Sequence, residues 1–464
     1  MIFKFLISVF FIINIFYVLN ISYALTPISS CGTYGVDNEI YNLTQNISSS
    51  SNCISFSAVT NSILNCNNFL IEGNFTGDGI RYISSSENIS IRNCNVKNFD
   101  VGLSMVGDDS YIINSSFYNN TDDGIYSSGD SNTFTTLLIY DNLGNGIFMS
   151  SSADSNEIIN STVYNNNKSG LSIIGPSNTI SNIISYNNTE HGIYVFGNNN
   201  LFNNLDSYGN LNGLNVDRAS NIQVNNCNFS NNYQASLSFF TNFLPDCSMR
   251  LTSVYGNNKP IFFFNSSVNI TNWNNNNISE LILCNADNSI ISGLTLISSN
   301  PGQGSLLQMT LTDNSIFSDL NLRNGFYGLV VYYPSNNSFF SSTFYGNSEF
   351  GVRYFGNGGL KNLFLNNTFF NDNNIGFVST TQVDKWNTST YGNTWLNISG
   401  FGFSQTCIDS GEDNICDTSY TISGSNIDYF PYIYNQPSNE ITSLFSFGFG
   451  VITIVILVGY FLLF

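Results

Sequence analysis

Apolar and polar residues alternate along most of this chain in runs of three or four, cut by Asn, Ser and Gly, as in Gly192-Ile193-Tyr194-Val195. A period of two predicts β-strands with one buried face. The repeats carry no apolar stripe of helical spacing, which excludes ankyrin, TPR and HEAT arrays. The runs recur. Gly102-Leu103, Gly124-Ile125, Gly146-Ile147, Gly170-Leu171, Gly192-Ile193 and Gly213-Leu214 follow one another every 21 to 24 residues. Behind them come Phe117-Tyr118-Asn119, Ile139-Tyr140-Asp141, Val163-Tyr164-Asn165, Ser185-Tyr186-Asn187 and Ser207-Tyr208-Gly209, then a column of Asn132, Asn156, Asn178, Asn200 and Asn221.

Such a period marks a solenoid, in which each repeat buries its apolar face only against its neighbours. About 22 residues is too short for a four-stranded propeller blade, which takes about 40, but it fits three short strands and three turns. Parallel crossovers favour the right hand. The predicted fold is all-β, a right-handed parallel β-helix of about 13 or 14 coils, ~65 Å long at ~4.8 Å per coil. The expected organisation is a signal peptide at 1–24, an N-terminal cap at 25–58, the β-helix at 59–395, a C-terminal cap at 396–435, a linker at 436–443 and a transmembrane helix at 444–464. Lys4, the apolar run from Phe5 to Leu19 and Ser22-Tyr23-Ala24 carry the signal. Leu444 to Phe464 has no charge and is long enough to span a bilayer.

Column arithmetic extends to side chains. The aliphatic residue or Phe before each Tyr faces inward, so Tyr118, Tyr140, Tyr164, Tyr186 and Tyr208 face out as an aromatic strip, with Tyr345 and Tyr391 as later members. Such a strip offers a platform for sugar rings, or is simply a well-packed β-surface. Same-column cysteines on adjacent coils lie within disulfide reach, which pairs Cys31 with Cys53 and Cys66 with Cys94. Cys407 and Cys416 form a third pair, and Cys284 is the expected leftover of nine. Before each Gly lies a second edge, Asp78, Asp100, Asp122-Asp123, Asn145, Ser169, Glu190-His191 and Asn212. It reads as solvated turn residues, with cation binding or acid–base work on a glycosidic bond as the sharper alternatives. His191 is the single histidine and reads as surface polar, against copper storage, which takes several His, Met or Cys together.

Charged residues are 9% of the chain and the net charge is −19, so nucleic acid is not a partner. About one residue in six is Asn. Roughly seventeen Asn-x-Ser/Thr sequences permit N-glycosylation of an exported chain, as a glycoprotein.

The run from Cys31 through Leu64-Asn65-Cys66-Asn67 and Ile71-Glu72-Gly73 to Gly79-Ile80 resembles the first coils of right-handed β-helix surface proteins of archaeal type. The repeats are similar to those of the pectin-lyase-like superfamily, in its NosD-like or CASH branch. Gly392-Asn393-Thr394-Trp395 is similar to the phrase that closes NosD-like helices. In that branch the following acidic segment reads as a calcium loop, and Asp409, Asp413 and Asp417 keep three of its positions, with Gly411 in place of a ligand. No cofactor beyond such a calcium is implied. The superfold hosts lyases, hydrolases, epimerases, adhesins and scaffolds. Without a recognisable catalytic cluster, the expected function is a membrane-anchored, cell-surface protein that binds polysaccharide or surface glycoprotein without chemistry. The alternative is a polysaccharide-active lyase, hydrolase or epimerase.

Overall fold

The computed structural model describes residues 24–83, 86–274, 276–356, 361–378 and 383–434. The signal segment, Ala24 apart, lies outside the described residues, as do the linker at 436–443 and the apolar run at 444–464. Among the described residues no helix is long and apolar enough to cross a membrane.

The chain winds as a parallel β-solenoid. One coil runs through Val101–Met105, Tyr111–Ile113 and Ser116–Tyr118. Each strand pairs in parallel with its counterpart one period on, Leu103 with Ile125, Ile112 with Phe134 and Phe117 with Ile139. In the four coils from Glu157–Tyr164 to Gln223–Ser230 the second and third strands fuse into single eight-residue strands. The inward residues Leu103, Ile112 and Phe117 are fully buried.

The abundance of Asn follows from the corners. Asn93, Asn114, Asn160, Asn182 and Asn204 all have positive φ, as do Asn98, Asn119, Asn165 and Asn187 on the next corner. Asn tolerates this left-handed region better than other residues with a Cβ. Two further columns of Asn are buried and hydrogen-bonded end to end. Asn156 Oδ1 accepts from the backbone N–H of Asn132, Asn178 from Asn156 and Asn200 from Asn178, each at 2.7–2.8 Å. Asn221 does not continue this column as the spacing suggests. It sits on an exposed positive-φ corner and donates to Asn199 at 2.9 Å, while apolar Ile222 takes the interior place. The second buried ladder runs through Asn120, Asn142, Asn166, Asn188, Asn210 and Asn232. The glycine column is set by close approach. Ile125 N–H donates to Gly146 O and Ile147 N–H to Gly170 O at 2.9 Å, and a Cβ on Gly146 would lie 2.6 Å from Gly170 O.

The first face of the solenoid holds ten strands, from Gly32–Tyr34 to Ala235–Phe240. The strand Lys259–Phe264 does not extend that sheet. It starts a second one, continued by Glu280–Cys284, Ser305–Thr310, Tyr327–Tyr332, Phe350–Tyr354 and Ile375–Phe377. The solenoid therefore has about 16 turns, more than the 13 or 14 expected. The difference arises at the N-terminal end, where Gly32–Tyr34 and Ile54–Ser57 already pair as coils.

Between the two sheets the stack bends. The open edge of Ala235–Phe240 is closed by side chains from the outer face of the second sheet. Glu280 accepts from the N–H of Ser236 and of Leu237 at 2.8 and 3.0 Å. Gln308 accepts from Phe239 N–H at 3.3 Å and donates to Leu237 O at 2.6 Å. Glu280–Cys284 and Ser305–Thr310 are consequently buried on both faces. Leu281 and Leu283 line the second core, while Ile282 and Cys284 pack on the first.

Cys31–Cys53, Cys66–Cys94 and Cys407–Cys416 are disulfides. A fourth bond, Cys247–Cys284, ties the bend, and the unpaired cysteine is buried Cys227 rather than Cys284. Column arithmetic along one axis cannot bring Cys284 to Cys247. The second stack has its own ladders, from Asn337 through Asn362 and Asp384 to Asn426, and from Asn367 through Asn393 to Asp428. At this far end indoles meet them, Trp386 Nε1 donating to Asn426 at 3.0 Å and Trp395 Nε1 to Asp428 at 2.9 Å.

Candidate functional site

Pairing register places Tyr118, Tyr140, Tyr164, Tyr186 and Tyr208 in one outward column. Successive ring centroids lie 4.7, 5.0, 4.9 and 5.0 Å apart, with planes within 7° of parallel. Each ring face is thus covered by its neighbour, and phenol edges meet solvent. Sugar rings stack on aromatic faces, and only the outer faces of the end rings, Tyr118 and Tyr208, are not covered by another ring of the column. The column continues backwards as Lys97 and Glu72, an ion pair at 3.0 Å, and forwards as Ser230. Burial and its Tyr neighbours push the Tyr140 phenol up to about 12. Tyr345 belongs to the second stack and meets Phe370 edge-on; Tyr391 lies outside any strand. Neither extends the column, because the bend separates them from it.

Along the acidic edge the aspartates are engaged locally, while Glu190 is exposed. Arg81 lies 3.7 Å from Asp78 and Lys168 lies 3.9 Å from Asp122, while Asp100 accepts from Thr121 at 2.9 Å. Asp123 is buried, accepts twice from Asn145 and is raised by burial to about 6. In the C-terminal loop, Asp409 accepts from the N–H of Asp413 and Asn414, Asp413 from Ile415, and Asp417 from Ser410. Among the described residues no three His, Cys, Asp or Glu side chains gather as a metal site.

The bend itself makes a cleft of about 370 Å³, lined by His191, Asn212, Asn215, Asp217, Gln234, Ser238, Phe240, Tyr332 and Phe355. The first stack supplies the polar floor, on the outward side of strands His191–Val195, Asn212–Asp217 and Ala235–Phe240. The aromatic wall joins both stacks: Phe240 and Tyr332 have centroids 4.8 Å apart, and Tyr332 and Phe355 stack at 5.2 Å. Asp217 accepts from Tyr194 Oη and from Arg218 Nε, both at 2.8 Å.

His191 is a polar residue on the outward face, as expected, but it is half-buried and held in strand His191–Val195 rather than free in a turn. Its two ring nitrogens lie 3.2 and 3.1 Å from the amides of Asn212 and Asn215. Burial lowers its pKa to about 4, against a smaller opposing pull from Asp217, so the imidazole is neutral at pH 7. A neutral ring accepts at one nitrogen and donates at the other. Turning the Asn212 amide oxygen onto Nδ1–H gives that otherwise unpartnered buried oxygen a donor.

The cleft escapes sequence reading because its walls come from residues more than 90 positions apart. A signal was nonetheless present: Glu-Leu-Ile-Leu-Cys at 280–284 and Leu-Val-Val at 329–331 lack the alternation of the other strands. Continuous apolar runs mark strands covered on both faces.

A family model described as "Right handed beta helix region" matches residues 123–282. The fold is a right-handed β-helix. No curated protein matches this chain. Among solved structures, the Azotobacter vinelandii Mannuronan C-5 epimerase AlgE4 A-module is 14% identical, with 71% of this chain and 88% of that chain covered and a TM-score of 0.38. The Dettilon tailspike protein is 14% identical, covering 65% and 60%, with a TM-score of 0.40. An alginate lyase from Paenibacillus sp. is 12% identical, covering 47% and 92%, with a TM-score of 0.30. Likenesses of this degree concern the fold alone.

Proposed function

We propose that this chain is an exported, membrane-anchored surface β-helix that binds glycans without transforming them, and that the cleft at the bend is where it does so. The observation that carries the reading is the make-up of the cleft: three aromatic side chains along one wall, facing converging amides, a hydroxyl and a carboxylate. A carbohydrate presents apolar C–H faces and a hydroxyl rim, and that combination matches it. Anchoring rests on the apolar runs at both ends of the sequence. A glycan-active enzyme is the second reading, favoured by the imidazole and carboxylate sharing the cleft. A general base works best with a pKa near the operating pH; His191, held between two amides near 4, is poorly matched to that task.

The test is to incubate the full-length protein with a polysaccharide panel and score both retention and new reducing or unsaturated ends. Retention without products is the expected result. New ends would replace the binding reading with the enzymatic one, and no retention on any member would remove both.

A further inference from the structure

The strand Lys259–Phe264 is open along most of one edge. It pairs with Glu280–Cys284 on one side, but on the other, among the described residues, only Lys259 and Pro260 pair, with Gly256 and Tyr255. An open edge beside aromatic surface invites pairing with another chain. Here the surface is aromatic: Pro260, Phe262, Trp273 and Ile278 line an apolar cleft of about 270 Å³, with Phe262 and Trp273 centroids 5.3 Å apart.

The fifth residue lining that cleft is Asn277. It is exposed, its side-chain amide has no hydrogen bond among the described residues, and it opens Asn277-Ile278-Ser279, an N-glycan acceptor sequence. Two nearby acceptor sequences are placed differently. Asn265 spends its amide on Cys247 O at 2.9 Å. Asn269 is exposed on a strand away from the cleft lining.

We propose that Asn277 carries an N-linked glycan whose first sugar rings lie over Trp273 and Phe262, filling the cleft and shielding the open strand edge. In the transfer, Asn277 Nδ2 bonds to the anomeric carbon of a lipid-phosphate-linked sugar donor. The anomeric carbon–oxygen bond breaks, the phosphate leaves with its electron pair, and one amide proton goes to solvent. Once attached, the sugar meets the rings at an effective concentration in the mM range, so weak stacking suffices to hold it. A bulky, hydrated cover there keeps the edge from other chains. The proposal rests on export of the chain.

The experiment maps glycopeptides by mass spectrometry on the full-length chain from a host that N-glycosylates exported proteins, alongside Asn277→Gln, Ser279→Ala and, as control, Asn74→Gln. Of three tryptophans, Trp386 and Trp395 are 1% exposed, so acrylamide-quenchable emission reports Trp273. Sugar on Asn277, at least twofold stronger quenching in Asn277→Gln and Ser279→Ala but not in Asn74→Gln, and concentration-dependent light scattering of the first two support the proposal. Sugar on Asn74 and other sites with Asn277 bare overturns it, as does unchanged quenching once the Asn277 glycan is removed. A chain bare at every acceptor site defeats the export reading and the proposal with it.

Discussion

Replacing Asn188 by Ala removes one rung of the longer buried ladder. Asn188 Oδ1 accepts from the backbone N–H and from Nδ2 of Asn166, both at 3.0 Å, and its own Nδ2 donates to Asn210 Oδ1 and Ser185 Oγ at 3.1 Å. Two donors of Asn166 are left without an acceptor, whereas Asn210 Oδ1 keeps the Asn188 backbone N–H at 2.8 Å and Ser185 Oγ still donates to Gly192 O. At ~1–3 kcal/mol for each buried group left unpaired, the cost is roughly 2–6 kcal/mol. In a solenoid each coil leans only on its neighbours, so the damage is local. Hydrogen–deuterium exchange is the matching assay. The Asn166 amide and those of the coils around it should lose protection by roughly 2 kcal/mol or more, while Ile63–Asn65 and Ile316–Ser318 keep theirs. Thr189→Ala, one residue along and exposed, should stay within about 0.5 kcal/mol. Protection at Asn166 unchanged within ~1 kcal/mol would refute the idea that these ladders hold the coils.

Other outcomes follow from the same contacts. Gly146→Ala places a Cβ 2.6 Å from Gly170 O and closer still to Val163; overpacking should cost at least ~1–3 kcal/mol, read as a lower thermal midpoint. Glu280 is fully buried and raised by desolvation from 4.5 to about 7. For a carboxyl with a raised folded pKa, the stabilising contribution is complete below the unfolded value and lost as pH climbs through the folded one. Asp428 and Asp123, each raised to about 6, act in the same direction. His191, lowered to about 4, opposes them, its contribution growing as pH climbs towards the unfolded value near 6.5. The readout is therefore a difference: the stability of the parent minus that of Glu280→Gln should fall by roughly 3 kcal/mol between pH 4.5 and 7 in denaturant titrations, and a difference that rises across this range would count against the burial argument. Breaking the tie at the bend with Cys247→Ser and Cys284→Ser should raise limited proteolysis within 241–258, with the coils at 101–195 left intact.

Much of the fold was legible because one period governs both sequence and space. Glycines come into carbonyl contact, Tyr rings stack and Cys31, Cys53, Cys66 and Cys94 pair where the columns align. The second buried Asn ladder was also written there, as the Asn two places after each Tyr. What escaped reading lies at the bend. Cys284 and Tyr332 meet partners outside their own stack, and a repeat period carries no information about a change of axis. The partners of His191 were missed for a related reason: its sequence neighbourhood is a turn, but its ring nitrogens meet Asn212 and Asn215 of the next coil.

The most direct test of the binding cleft is a titration of the best-retained oligosaccharide against the full-length protein and two variants. Ser238→Trp fills the cleft from its floor; Tyr164→Ser interrupts the tyrosine column and leaves the cleft alone. At least a tenfold loss of affinity in Ser238→Trp, with Tyr164→Ser binding as the parent does, is the predicted result. Undiminished binding by Ser238→Trp, or a loss confined to Tyr164→Ser, would contradict it.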